Sequence, residues 1–200
     1  MLTSMSTPDQ LRSELEAAGV SNGDVWWLVN TLERYPAAVP VLLEWLAALD
    51  ERVPAEGREQ LREGIVRALT VSETRPEAAP LLIDQFRRVA DPNLRWVIGS
   101  ALEVVADDSV FDQTAEVATQ TEYGASRQMI VLGFGRSNKP EAVPLLIELL
   151  EDDDVAAHAA IALGRLNATE AQTALERQLE NPRPLVRREA RKALARISEA

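Results

Sequence analysis

Ala160-Ile161-Ala162-Leu163-Gly164 decides the fold, because the same frame of small residues around a leucine returns along the chain. It reads Ile65-Val66-Arg67-Ala68-Leu69, Gly99-Ser100-Ala101-Leu102, Met129-Ile130-Val131-Leu132-Gly133 and Arg191-Lys192-Ala193-Leu194. The five leucines stand 33, 30, 31 and 31 residues apart. A unit of about 30 residues cannot bury a core alone, so a period of this size means helical pairs stacked on one another.

Around that frame lies a second phrase. Ala38-Val39-Pro40-Val41-Leu42-Leu43-Glu44, Ala78-Ala79-Pro80-Leu81-Leu82-Ile83-Asp84 and Ala142-Val143-Pro144-Leu145-Leu146-Ile147-Glu148 each open the first helix of a pair. Proline in a first turn loses no intrahelical bond, and the leucines behind it make a buried face. Weaker versions occur at 111–118 and 170–179, with Thr114 and Thr173 in the proline's place. Second helices begin at Asp91-Pro92-Asn93-Leu94-Arg95, Asp152-Asp153-Asp154-Val155 and Asn181-Pro182-Arg183-Pro184-Leu185-Val186-Arg187, where a turn residue caps the helix.

Ahead of the repeats, Thr7-Pro8-Asp9-Gln10 starts a helix ending near Gly19, and Ser21-Asn22-Gly23-Asp24 starts another over 25–35 containing Trp26, Trp27, Leu28, Val29 and Leu32. Arg52 to Gly57 reads as a loop inside the second pair. No stretch alternates with period two, so the fold class is all-α, with about six helical pairs. The expected organisation is a disordered start over 1–6 and a single helical repeat domain over 7–200. Within it, 7–35 form an N-terminal capping pair and 36–197 the repeats.

The turn-plus-arginine starts, the Ala162-Leu163-Gly164 and Ala193-Leu194 cores and the Glu-Ala-Val-Pro-Leu-Leu opening at 141–146 resemble HEAT repeats. In particular, they resemble the short bacterial type also found in phycobilisome lyase subunits. The resemblance covers about residues 36 to 197. It implies a right-handed α-α superhelix whose second helices line a concave surface that holds partners. Positions 111 to 128 depart from the pattern, lacking both the proline and the arginine start, which makes the middle repeat irregular.

Composition narrows the functions. With 32 acidic against 21 basic residues, the net charge of −11 disfavours nucleic acid and anionic membranes as partners. Only the last helix is basic, through Arg183, Arg187, Arg188, Arg191, Lys192 and Arg196. The absence of cysteine removes disulfides, thiolate metal sites and cysteine nucleophiles, and suits a cytoplasmic protein. Neither a secretion signal nor an apolar run of membrane-spanning length is legible.

Catalytic and metal constellations are equally thin. His158 is the single histidine, and its helical neighbours offer at best Asp154 as a carboxylate partner, so it reads as a polar residue near the inner helix surface. Asp152-Asp153-Asp154 lacks the alternating ligands and turn glycine of a calcium loop and is expected to serve a helix N-terminus. Gly133-Phe134-Gly135-Arg136 ends a helix instead of following a strand, so Gly133 is read as close packing and Gly135 as a terminator. No cofactor is expected. Trp26, Trp27, Trp45, Phe86 and Phe111 are expected in the core or cap.

Counting from each repeat leucine, the residues six and two before it and two after it form one stripe turned away from the buried face. In the three central repeats that stripe reads Trp96, Ser100, Val104; Ser126, Ile130, Phe134; and Ala157, Ile161, Arg165, with Tyr123 one turn ahead of Ser126. An apolar centre with a charged border is the pattern of a binding patch. The candidate partner-binding residues are therefore Trp96, Ser100, Tyr123, Ile130, Phe134, Ile161 and Arg165. Two readings stay open: an exposed patch, or side chains packed between repeats by a shifted register in the middle one. The function expected is a non-enzymatic scaffold or adaptor for a protein or peptide, a monomer or weak dimer. The alternatives are a nucleic-acid-binding or DNA-repair protein of the same fold, and an accessory lyase or chaperone subunit.

Overall fold

A computed structural model describes residues 7–199; the expected disordered start over 1–6 lies outside them. Among the described residues there are thirteen α-helices and no strand. The first pair is α1 (Thr7–Ala17) and α2 (Val25–Asn30), and the second is α3 (Val39–Ala47) and α5 (Ala55–Ala68) with the short α4 (Leu49–Arg52) between them. There follow α6 (Ala79–Arg88) with α7 (Pro92–Val105), α8 (Phe111–Thr119) with α9 (Gln128–Gly133), α10 (Ala142–Leu149) with α11 (Ala156–Arg165), and α12 (Gln172–Arg177) with α13 (Pro184–Glu199). Helical pairs therefore number six among the described residues.

Stacking runs in two layers. Each second helix packs on the next, α2 on α5, α5 on α7, α7 on α9, α9 on α11 and α11 on α13, while α1, α3, α6 and α8 pack successively on the other side. Between the layers one apolar core extends from Leu11 to Ile197. This is an all-α solenoid.

Local starts follow from the sequence. Pro40 and Pro80 occupy first turns of α3 and α6. The Asp91 carboxylate accepts the Asn93 amide at 2.9 Å and caps α7; Asp24 does the same for α2 through Trp26. In α5, Glu56 and Gly57 leave helical geometry, Gly57 at φ +79°, so the chain breaks where Pro54 and Gly57 predicted a loop.

One helix is shorter than expected. α2 stops at Asn30, not near Tyr35, and leaves Leu32 fully exposed. The Asn30 side chain donates to the Trp26 carbonyl at 2.6 Å, and such local bonds compete with helix propagation. Farther on, the Tyr35 hydroxyl donates to the Ala68 carbonyl at 2.7 Å and holds the segment against α5.

The middle repeat is displaced by two residues. Leu69, Leu102 and Leu163 are buried, but Leu132 is only half-buried, and Phe134, 4% exposed, takes the leucine's place. Two periodic features fix this register. Gly135 follows Phe134 as Gly164 follows Leu163, and each glycine abuts the alanine that precedes the next repeat's central residue, Ala162 and Ala193. Arg127 lies seven residues before Phe134, as Arg62, Arg95 and Arg187 lie before Leu69, Leu102 and Leu194.

These arginines brace the pairs. Arg95 donates to the Phe86 and Val89 carbonyls, Arg187 to those of Asn181 and Pro182 at 2.7 and 2.9 Å, and Arg127 to those of Ala118 and Gly124, both at 2.9 Å. Arg95 and Arg127 therefore satisfy carbonyls left open at the ends of α6 and α8, Arg187 binds carbonyls of the turn before α13, and Arg62 differs in pairing with Asp50, Glu59 and Gln85. The middle repeat has its arginine start after all. A 3₁₀ segment over Thr121–Arg127, bent at Gly124 with φ +52° and ψ −138°, delays α9 and carries the shift.

Candidate functional surface

With Phe134 as the reference, the outward stripe of the middle repeat is Gln128, Leu132 and Arg136. Ile130 and Phe134, expected on the exposed patch, are buried instead; the register slip turned them into the core. Phe134 meets Phe111 edge to face at 5.3 Å between ring centres. Ser126 is buried too, its hydroxyl donating to the Pro92 carbonyl at 3.0 Å.

The other predicted residues divide. Trp96 is 43% exposed on α7, one of few large apolar side chains in water among the described residues. It forms a wall shared by two shallow clefts, one towards Glu63 and Arg67 on α5 and one towards Tyr123 and Gly124. Ser100 is half-buried and donates to the Trp96 carbonyl at 3.0 Å. Tyr123 belongs to the packing of the clefts: the Arg95 guanidinium lies 4.9 Å from its ring centre, and Phe86 stands edge-on at 5.2 Å. Ile161 is half-buried and Arg165 exposed on α11.

Trp96 and Val104 of α7, Leu132 of α9 and Ile161 of α11 are apolar side chains left partly exposed on three stacked helices. The Glu103 carboxylate, 17% exposed, receives the Arg136 guanidinium and lies 3.7 Å from that of Arg165. Arg136 also donates to the Glu103 carbonyl, and Arg165 to the Leu132 carbonyl at 3.5 Å. Two cations thus share one anion at the C-terminal ends of α7 and α9, which favour positive charge. Sequence reading missed Leu132, Arg136 and Glu103. The signal that could have found them was Arg127, whose spacing reveals the slip.

At the α13 end the basic group is partly neutralised. Glu189, 6% exposed, accepts from Arg188 at 2.7 Å and Lys192 at 3.1 Å. Burial would raise its pKa, but these two cations reverse the effect and leave it below the usual glutamate value.

As expected, the acidic run Asp152-Asp153-Asp154 serves a helix start: in the turn ahead of α11, which begins at Ala156, the Asp152 carboxylate accepts the Asp154 amide at 2.9 Å and the Asp152 carbonyl accepts the Ala156 amide at 2.8 Å. It also joins repeats. Asp152 pairs with the wholly buried Arg127 at 2.8 Å, and Asp153 with Arg183 at 3.5 Å. The roles of Gly133 and Gly135 are the reverse of those expected: Gly135 is the close-packing residue, whereas a Cβ on Gly133 would meet nothing nearer than 3.7 Å. His158 is half-buried, and desolvation holds its pKa below the ordinary histidine value against the opposing charge of Glu189. Among the described residues no group of three or more His, Asp or Glu is placed to hold a metal ion, and no helix is long and apolar enough to cross a membrane.

Residues 112–195 match the family described as HEAT repeats. Over these residues the chain carries HEAT repeats. The match takes in the middle repeat, with its displaced register, and the two pairs after it. A comparison with curated proteins finds no match. The family's description is of HEAT repeats alone, so the likeness to phycobilisome lyase subunits remains an implication of the sequence phrases.

Proposed function

We propose that this HEAT-repeat chain is a non-enzymatic scaffold or adaptor, which holds an amphipathic helix or peptide of a protein partner across its second helices. The observation that carries this reading is the partial exposure of Trp96, Val104, Leu132 and Ile161 on three helices that pack in succession. Apolar side chains left partly in water on three successive helices serve no purpose in a mere spacer and supply anchor contacts for a partner. Arg136 and Arg165 favour a partner with acidic residues flanking its apolar stripe. The reading places the protein in the cytoplasm as a monomer or weak dimer. Nucleic acid is disfavoured by the net charge of −11 and by the engagement of Arg188 and Lys192 with Glu189.

The test is a nuclease-treated pull-down from native lysate, comparing the wild type with the Trp96→Glu, Leu132→Glu double variant by mass spectrometry. A protein retained by the wild type and lost from an equally helical variant supports the reading. Identical retention by both would move the binding surface elsewhere.

A further inference from the structure

A cavity of about 300 Å³ opens between the third and fourth helical pairs. Its apolar wall is made by Leu102, Ile130, Phe111 and Phe134. Gly133 lines it at the position where the other four second helices of the repeats carry Ala68, Ala101, Ala162 and Ala193, all buried. The displaced repeat therefore lacks a methyl group there.

The polar side of the cavity is unequally committed. Asp107 accepts the Ser109 amide at 2.9 Å and its hydroxyl at 2.5 Å, and Asp108 accepts the Ser137 hydroxyl at 2.5 Å and the Asn138 amide at 3.0 Å. Led by the Ser137 hydrogen bond, these contacts hold the Asp108 carboxyl below the ordinary aspartate value, so it stays ionised and occupied. Arg136 is held by Glu103. Arg75 differs: its Nε donates to the Val104 carbonyl, while among the described residues no carboxylate pairs with its guanidinium.

We infer that this cavity binds a small organic monocarboxylate with an apolar body, the body against Phe111, Ile130 and Phe134 and the carboxylate on the Nη groups of Arg75. A guanidinium presents paired donors that match a carboxylate, and its strength there exceeds that of a neutral hydrogen bond. The volume is at the small end for ligand pockets, which suits one ring or a short chain. A dianion such as phosphate would face Asp107 and Asp108, whereas a single charge directed at Arg75 avoids most of that repulsion.

Phenylacetate titrated into the full chain, with the Ile130 δ1 methyl resonance followed by NMR, tests the assignment. A saturable shift is expected in the wild type, with affinity reduced about tenfold or more for phenylacetamide and in Arg75→Leu. The amide comparison needs no variant and so is independent of folding. Absence of a saturable shift at Ile130, or equal affinity for phenylacetamide, overturns the proposal. Arg75 is not one of the residues that carry the adaptor reading, so either result leaves that reading untouched.

Discussion

Gly135 lies against Ala162 so closely that a Cβ on the glycine would stand 3.0 Å from the alanine's Cα, and Gly164 stands in the same relation to Ala193. These two contacts set the spacing of α9, α11 and α13, because the neighbouring atoms belong to backbone and cannot swing aside. Gly133, two residues before Gly135, has no such neighbour.

The glycines should consequently respond in opposite directions to alanine. Gly164→Ala is expected to cost about 1–3 kcal/mol through overpacking. Gly133→Ala, at φ −59° and with space for the methyl, is expected to gain about 0.4–1 kcal/mol by restricting the unfolded chain. Urea denaturation of the two variants measures both; equal signs would contradict the packing described.

Phe134 and Leu132 provide the test of register. Phe134→Ala should cost about 3–5 kcal/mol as a buried aromatic truncation, whereas Leu132→Ala, half-exposed, should fall well below that range. Circular dichroism melts suffice, and the reverse order would restore Leu132 to the core.

Arg127 and Asp152 form the most deeply placed ion pair of the middle repeat. Arg127→Met removes the buried partner of the partly exposed Asp152 and the donors to the Ala118 and Gly124 carbonyls, and is expected to cost about 1–3 kcal/mol at neutral pH. Burial pushes the Asp152 pKa up, but the Arg127 and Asp154 hydrogen bonds outweigh it and the folded value lies below the ordinary one. Stability from such a group is full above the unfolded pKa and is lost as pH falls through the folded one. The gap between wild type and Arg127→Met should therefore narrow below about pH 4, read from denaturation midpoints across pH.

His158 predicts a separate mild-acid effect. Desolvation lowers its folded pKa, so the unfolded chain binds the proton more readily. Its share of stability is full above the unfolded value of about 6.5 and declines as pH falls from there through the folded value. His158→Asn should flatten the melting temperature between about pH 7 and pH 5 while leaving the loss below pH 4 in place. An unchanged slope in that window would remove His158 as its source.

The candidate surface was only partly legible. Trp96, Ser100, Ile161 and Arg165 lie on the partly exposed stripe, as the spacing predicts, because α7 and α11 keep the period of their leucines. Ile130 and Phe134 were misplaced because Leu132 looked like a repeat leucine, and an α-helix turns about 100° per residue. A two-residue slip consequently moves a side chain from water to the core. Arg127 carried the corrective signal, yet an arginine in a turn shows its role only once the carbonyls it caps are known.

What the sequence by itself determined was the all-α class, the six pairs, the proline-led first helices and the sites of most breaks. Those depend on local propensity, capping and hydrophobic period, which act within a few residues. Tertiary structure alone decided the register of the middle repeat, the pairing of Asp152 with Arg127, the close contacts of Gly135 and Gly164, and the cavity beside Gly133. Each of these depends on which atoms of one repeat meet those of the next, and packing at that scale responds to a single methyl group.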